Sequence, residues 1–241
     1  MSAENAVRAP VAGEAVRVPV YVWDIWVRVI HWAVFFCFII LAITGSYISH
    51  PFIPVARDAY EPFLMGTVRV VHFYTAMVFD LAVFARIVLM FVGSPYARWD
   101  QFIPVTKRRW NSALESLKFY VFLRRTPPEA IGHDALDGLI FAARFLVDLL
   151  IIATGFALYS KITSYSSPLA IFQGLIPYFG GLQSVRWLHH MLMWVAILFI
   201  LQHVIRVIVL STVKHDGTVE SMLSGYRYVT KEDLAEEARD R

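Results

Sequence analysis

Charge is scarce in this sequence. Of its 241 residues, 17% are Asp, Glu, Lys or Arg, 58% are hydrophobic, and the mean hydropathy is +0.56. A soluble domain of this length carries about a quarter charged residues, so the expected class is an integral membrane protein. Cysteine is scarcer still, with Cys37 alone inside an apolar run. That excludes a disulfide within the chain. It also excludes an iron–sulfur cluster held by this chain's own thiolates, which takes about four. No Cys-x-x-Cys-His stretch is present, so covalent c-type attachment of a haem is excluded too. Cys37 reads as a small buried hydrophobe. No basic patch interleaved with aromatics points to nucleic acid. The opening MSAENAVRAPVAGEAVRVPV is interrupted by Glu4 and Glu14 and lacks the continuous apolar core of a cleaved signal.

Long apolar runs are what the sequence has in abundance. Four stretches, about 26–48, 67–92, 136–159 and 185–213, reach the roughly 20 residues that span a bilayer. Lipid satisfies no backbone polar group, so each is expected to be a helix. The expected fold class is therefore all-α, an integral membrane four-helix bundle over 23–213. It is flanked by an arm, 1–22, without regular structure, and a tail, 214–241. Lys and Arg number three in the arm as far as Arg28, seven between the second and third spans, and five in the tail. The opposite loops hold three, Arg57, Lys161 and Arg186. The positive-inside rule then puts both termini and the long middle connection in the cytoplasm. Within that connection, RRWNSALESLKFYVFLRR (108–125) sets Trp110, Leu114, Leu117 and Val121 on one helical face between basic flanks. This pattern predicts an amphipathic helix lying on the cytoplasmic surface of the membrane.

Five histidines fall inside the spans: His31, His72, His189, His190 and His203. Ionisable groups at membrane depth are costly and usually face the bundle interior for a reason. Depth pairs His31 with His203 on the cytoplasmic side, and His72 with His189 on the outer side. Helix geometry separates the adjacent pair. His189 and His203 are 14 residues apart, which at about 100° per residue is about 40° from one face, with a rise of roughly 21 Å. His190 and His203 are 13 apart, roughly 220°, on nearly opposite faces. The expected column is therefore His189 and His203, with His190 off it. Zinc would want about four ligands at one depth. Two axial imidazoles in an apolar slot suit haem, and the spacing predicts two haems, one per layer. Thr44-Gly45 and Thr154-Gly155 lie near the outer ends of the first and third spans. Gly45 and Gly155 let either a flat macrocycle or another helix approach the backbone.

RVIHWAVFFCFIILAITG (28–45) and RWLHHMLMWVAILFILQH (186–203) together resemble the b-type cytochrome subunit of membrane-bound nickel–iron hydrogenases. The features that carry the resemblance are Arg28-x-x-His31-Trp32 with Thr44-Gly45 downstream, and His189-His190 followed by Trp194, Phe199 and His203. It extends over all four spans. The family is similar to the haem-carrying gamma subunit of formate dehydrogenases. The resemblance implies non-covalent haem b with His31, His72, His189 and His203 as axial ligands of the iron. It implies electrons arriving from the iron–sulfur small subunit of a periplasmic hydrogenase, and through it from the large subunit, and leaving to a membrane quinone. It further implies an inner-membrane location and a higher-order assembly of the complex. The cytochrome b subunit of another periplasmic dehydrogenase, such as formate dehydrogenase, is the neighbouring alternative. A haem-free anchor or a metal transporter using the histidines is the alternative of a different class.

Relatives open the third span with Gly-His-Asn-Pro-Leu, where this chain has Gly132-His133-Asp134-Ala135-Leu136. His133, Asp134 and Asp137 are thereby quinone candidates, while the two aspartates equally suit capping of the helix. Arg28, one turn before His31, and Arg206, three after His203, either pair with a haem propionate or snorkel to the interface. Asp80, Arg86, Arg144 and Asp148, also inside spans, are expected to form interhelical ion pairs or a proton route.

Overall fold

A chain crossing lipid must close its backbone hydrogen bonds within each segment, and in the computed structural model four long helices do this. Residues 17–52, 63–125, 131–132, 134–163, 167–231 and 233–235 are described. The spans are α1 (Ile25–Ser49), α2 (Leu64–Val92), α4 (Ala135–Tyr159) and α6 (Leu182–Lys214), each long and apolar enough to cross a membrane. The expected all-α membrane bundle holds, and each span begins within three residues of its sequence boundary. Residues 17–24, before α1, and 215–230, after α6, lie at one end of the bundle (the terminal end). The C-terminal ends of α1 and α4 lie at the other (the loop end). His133, Arg57 and residues 1–16 of the arm fall outside the described residues.

The spans associate as two antiparallel pairs, α1 along α2 and α4 along α6, with lighter contact between α1 and α6. Cys37, Phe79 and Val83 form a buried core against Val34, Leu41, Phe145 and Ile152, which joins the first pair to α4. Most other apolar side chains on the spans, among them Ile43, Leu81 and Leu198, point outward, as lipid-facing residues do. At the loop end Ala157, Ile176 and Val185 close the bundle beneath the short α5 (Leu175–Tyr178).

Charge inside the spans is neutralised differently from the expectation. Arg144 and Asp148 pair within α4, one turn apart, at 2.7 Å, rather than between helices. Arg144 also donates to the Ala196 carbonyl of α6 at 3.2 Å and lies 5.0 Å from the centre of the Phe38 ring of α1. One guanidinium thus holds three helices together. Arg86 donates to the Ala97 carbonyl at 3.1 Å and sits over Phe102.

The arm is where the structure departs most from the sequence reading. Residues Arg17–Tyr21 form β1, paired antiparallel with β2 (Tyr226–Thr230) from the tail, Arg17 opposite Thr230 and Tyr21 opposite Tyr226. Arm and tail are therefore one clasp at the terminal end, not two separate extensions. Val22, Trp23, Val27, Ala97, Ile131 and Val229 form its core. Trp23 Nε1 donates to Ser221 Oγ and Trp32 Nε1 to the Met222 carbonyl, both at 3.1 Å, and both acceptors belong to or adjoin α7 (Thr218–Ser224). Gly225 makes the turn from α7 into β2 at φ +89°, and a side chain there would strike Tyr21. Five alternating residues are too few to announce a strand when the partner lies at the opposite end of the chain.

The helix α3 (Lys107–Tyr120) starts where expected, with Thr106 Oγ1 accepting from Arg109 N. Its buried side chains are Ala113 and Ser116, and it packs on α4. Trp110, Leu114, Leu117 and Val121 face outward.

Two outcomes follow for stability. Asp148→Ala strands Arg144 in a low-dielectric interior. It is expected to lower unfolding stability in detergent by about 3–5 kcal/mol, with most of the loss recovered when Arg144→Met is added. In the clasp, burial pushes the Asp216 carboxyl up, but Arg227 and the Thr218 hydroxyl outweigh it and hold the group below its usual value. The pair therefore stabilises above the ordinary carboxylate range and is lost as pH falls through the lowered value. Amide exchange across 226–230 is expected to speed up only below pH about 4.

Candidate functional site

Two layers of histidine cross the bundle. Toward the terminal end, His31 of α1 faces His203 of α6, with ring centres 6.3 Å apart and planes at 60°. Phe141 of α4 contacts His203 at 5.4 Å and Trp32 contacts His31 at 5.3 Å, so aromatic edges wall this pair. The Nδ1 of His31 is buried and has no hydrogen-bond partner.

Toward the loop end, His72 of α2 and His189 of α6 form the other layer, and each is held by the partner helix of its pair. Thr44 Oγ1 of α1 lies 2.8 Å from His72 Nδ1, and Thr154 Oγ1 of α4 lies 2.9 Å from His189 Nδ1. The glycines that follow have a clear purpose. A Cβ on Gly45 would lie 3.3 Å from His72 Cε1, and one on Gly155 would lie 3.3 Å from His189 Cε1. Each Thr-Gly pair is thus a seat for an imidazole, threonine holding it and glycine admitting it. The sequence suggested room for a macrocycle or a helix at these glycines. The structure puts a histidine ring there in both cases. Met193, one turn after His189, approaches the first seat with its sulfur 3.9 Å from the Gly45 Cβ position. Among the described residues, no group of three or more His, Cys, Asp or Glu gathers to hold a bare metal ion.

His190 is turned elsewhere. Its Nε2 accepts from Trp194 Nε1 at 3.1 Å, and its ring centre is 6.1 Å from that of His50. Arg28 and Arg206, beside His31 and His203, are also engaged with protein. Arg28 donates to the Leu223 carbonyl in the clasp. Arg206 is buried, pairs with Asp137 and with Asp134 at 3.4 Å, donates to Tyr120 Oη at 3.2 Å and stacks on that ring. Asp134 caps α4, its Oδ1 accepting from Asp137 N at 2.8 Å. Burial holds the Asp134 carboxyl above its usual range in spite of Arg206. Thr44, Thr154 and Tyr120 were not singled out as site residues from the sequence. The doubled Thr-Gly on both spans that run toward the loop end was the available signal for the first two. Tyr120 had none.

Residues 22–225, which hold both histidine layers, match the family model of the prokaryotic cytochrome b561 proteins. The chain belongs to the prokaryotic cytochrome b561 family. Curated relatives agree along most of the length. A probable Ni/Fe-hydrogenase B-type cytochrome subunit from Bradyrhizobium diazoefficiens is 33% identical, over 92% of this chain and 92% of its own. One from Cupriavidus necator is 32% identical, over 91% of each. The probable Ni/Fe-hydrogenase 1 B-type cytochrome subunit from Escherichia coli K12 is 31% identical, over 86% of this chain and 90% of its own.

In this cytochrome b561 protein the seats are tight enough to test by size. Gly45→Val and Gly155→Val are each expected to cost about 1–3 kcal/mol of unfolding free energy, with alanine costing less at both positions. Unfolding in detergent, followed by tryptophan fluorescence, measures both.

Proposed function

We propose that this chain is the membrane cytochrome b subunit of a nickel–iron hydrogenase, passing electrons from the hydrogenase small subunit, and so from its large subunit, to a membrane quinone. Two haem b groups would be held non-covalently, one by His31 and His203, the other by His72 and His189. The observation that carries the reading is the His31–His203 pair. Its ring-centre separation of 6.3 Å suits two metal–nitrogen bonds of about 2 Å each plus the depth of the two rings. The relatives' names support the hydrogenase partner over a formate dehydrogenase.

When bound, haem supplies one-electron chemistry at its iron. The chain supplies position, insulation and proton handling. Its α6 spaces the two layers by roughly 21 Å from ligand to ligand, spanning much of the hydrocarbon core. Its outward apolar side chains keep water away. At the inner end Arg206, one turn past His203, gathers Asp134 and Asp137. A carboxyl held above its usual range retains a proton to higher pH than an exposed aspartate, which suits a group beside a quinone site. His133 remains a candidate contact for that quinone.

The same reading puts the chain in the bacterial inner membrane with both termini cytoplasmic, and lays the outward face of α3 on the bilayer surface. The basic loops and the apolar exposure of Trp110, Leu114 and Leu117 support both. Membership of a higher-order assembly of the complex belongs to it as well.

A reduced-minus-oxidised spectrum of the purified chain is expected to show a b-type band with two haems per chain. His203→Ala is expected to remove about half of it, and His190→Ala none. No b-type band in the unaltered chain ends the reading. The co-purifying partner should contain nickel rather than molybdenum. Proton uptake during hydrogen-to-quinone turnover in vesicles should come from the cytoplasmic face.

A further inference from the structure

The outer histidines carry a hydrogen bond whose direction the geometry decides. A threonine hydroxyl has one hydrogen to donate. Thr44 Oγ1 lies 2.7 Å from the Ile40 carbonyl, and Thr154 Oγ1 lies 2.7 Å from the Leu150 carbonyl. Those carbonyls accept and have nothing to donate, so each hydroxyl hydrogen is spent on its own helix. The oxygen then faces the imidazole as an acceptor. The Nδ1 of His72 and of His189 must therefore be the protonated nitrogen, and Nε2 carries the lone pair. The inner layer is built otherwise, since His31 Nδ1 is buried with no partner.

A ligating imidazole whose far N–H is hydrogen-bonded is held in one tautomer and orientation and is a stronger donor to its metal. A stronger donor favours the more oxidised iron and lowers the reduction potential, through the hydrogen bonding around the ligand that tunes such centres. We propose that Thr44 and Thr154 are positioning residues which fix the ligating tautomer of His72 and His189, and that they set the outer haem at a lower reduction potential than the inner one. Electrons entering at the loop end then run downhill toward the terminal end. The inference rests on the four-histidine assignment proposed above.

The seats occur twice, once in each helix pair, with the same Thr-Gly order and matching distances. Simple helix packing gives no reason for both threonines to meet Nδ1 of a histidine. Because the hydroxyl is the active feature, serine should serve in its place and valine, of nearly the same shape, should not.

The test is a potentiometric titration of the b-type band in the purified full-length chain, with the low-spin ferric electron paramagnetic resonance spectrum recorded on the same samples. Thr44→Val and Thr154→Val are expected to raise the lower of the two midpoint potentials, to leave the higher one in place, and to change one of the two low-spin signals. Thr44→Ser and Thr154→Ser are expected to keep both potentials. Haem loss from the valine variants with retention in the serine variants also supports the proposal. Valine variants that keep both haems with potentials unmoved or lowered overturn it, as does equal loss or equal shift with valine and serine. If His72→Ala and His189→Ala leave the lower-potential haem in place, or the unaltered chain binds no haem, the ligand assignment itself has failed, and this inference with it.

Discussion

A polar group in the hydrocarbon core of a membrane has no water to fall back on, and every part of this site answers to that constraint. An imidazole placed there must find a ligand, an acceptor or an aromatic wall, or it destabilises the helix that carries it. His72 and His189 find threonine oxygens. Those hydroxyls donate to carbonyls within their own helices, so the chain of polar groups ends without an orphan. The glycine after each threonine is the steric condition for the contact. Remove the constraint and there is no reason for two helices running toward the loop end to share a Thr-Gly ending.

The fold turns these local solutions into a path. Because α6 supplies one histidine to each layer, the distance between layers is set by a single continuous helix and cannot drift with loop motion. Because α1 and α2 form one pair and α4 and α6 the other, each loop-end histidine is seated by its own partner helix. The two pairs need only meet across the bundle for the histidines to face each other. Arg144 helps them meet, since its one guanidinium reaches an aspartate in α4, a carbonyl in α6 and a ring in α1. An unpaired charge there would be prohibitive, and Asp148 makes it tolerable.

The terminal end is stiffened by unrelated means. The β1–β2 clasp binds the segment before α1 to the tail after α6, with two tryptophan N–H groups and Arg28 reaching into α7. His31 and His203 both lie on helices anchored in that clasp, so the terminal-end layer is gripped from beyond the spans while the loop-end layer is gripped within them. This difference matches the asymmetry between a bare His31 Nδ1 and the two seated loop-end rings.

The sequence by itself determined the spans, the pairing of His31 with His203 and of His72 with His189 by depth, and the exclusion of His190 from the column. All of these depend on hydropathy, on the period of a helix and on residue spacing within one helix, which are local quantities. It also marked the Thr-Gly echo without its meaning, because threonine and glycine have many uses in a membrane helix. Only the tertiary structure decided that each pair seats a histidine from the neighbouring span, that Arg206 is occupied by Asp134, Asp137 and Tyr120, that Arg144 and Asp148 pair within one helix, and that arm and tail form a sheet. Each of these depends on which helix stands beside which. Contacts between residues dozens or hundreds of positions apart leave no periodic trace in a single chain, since the packing free energy that selects them arises only when the helices meet.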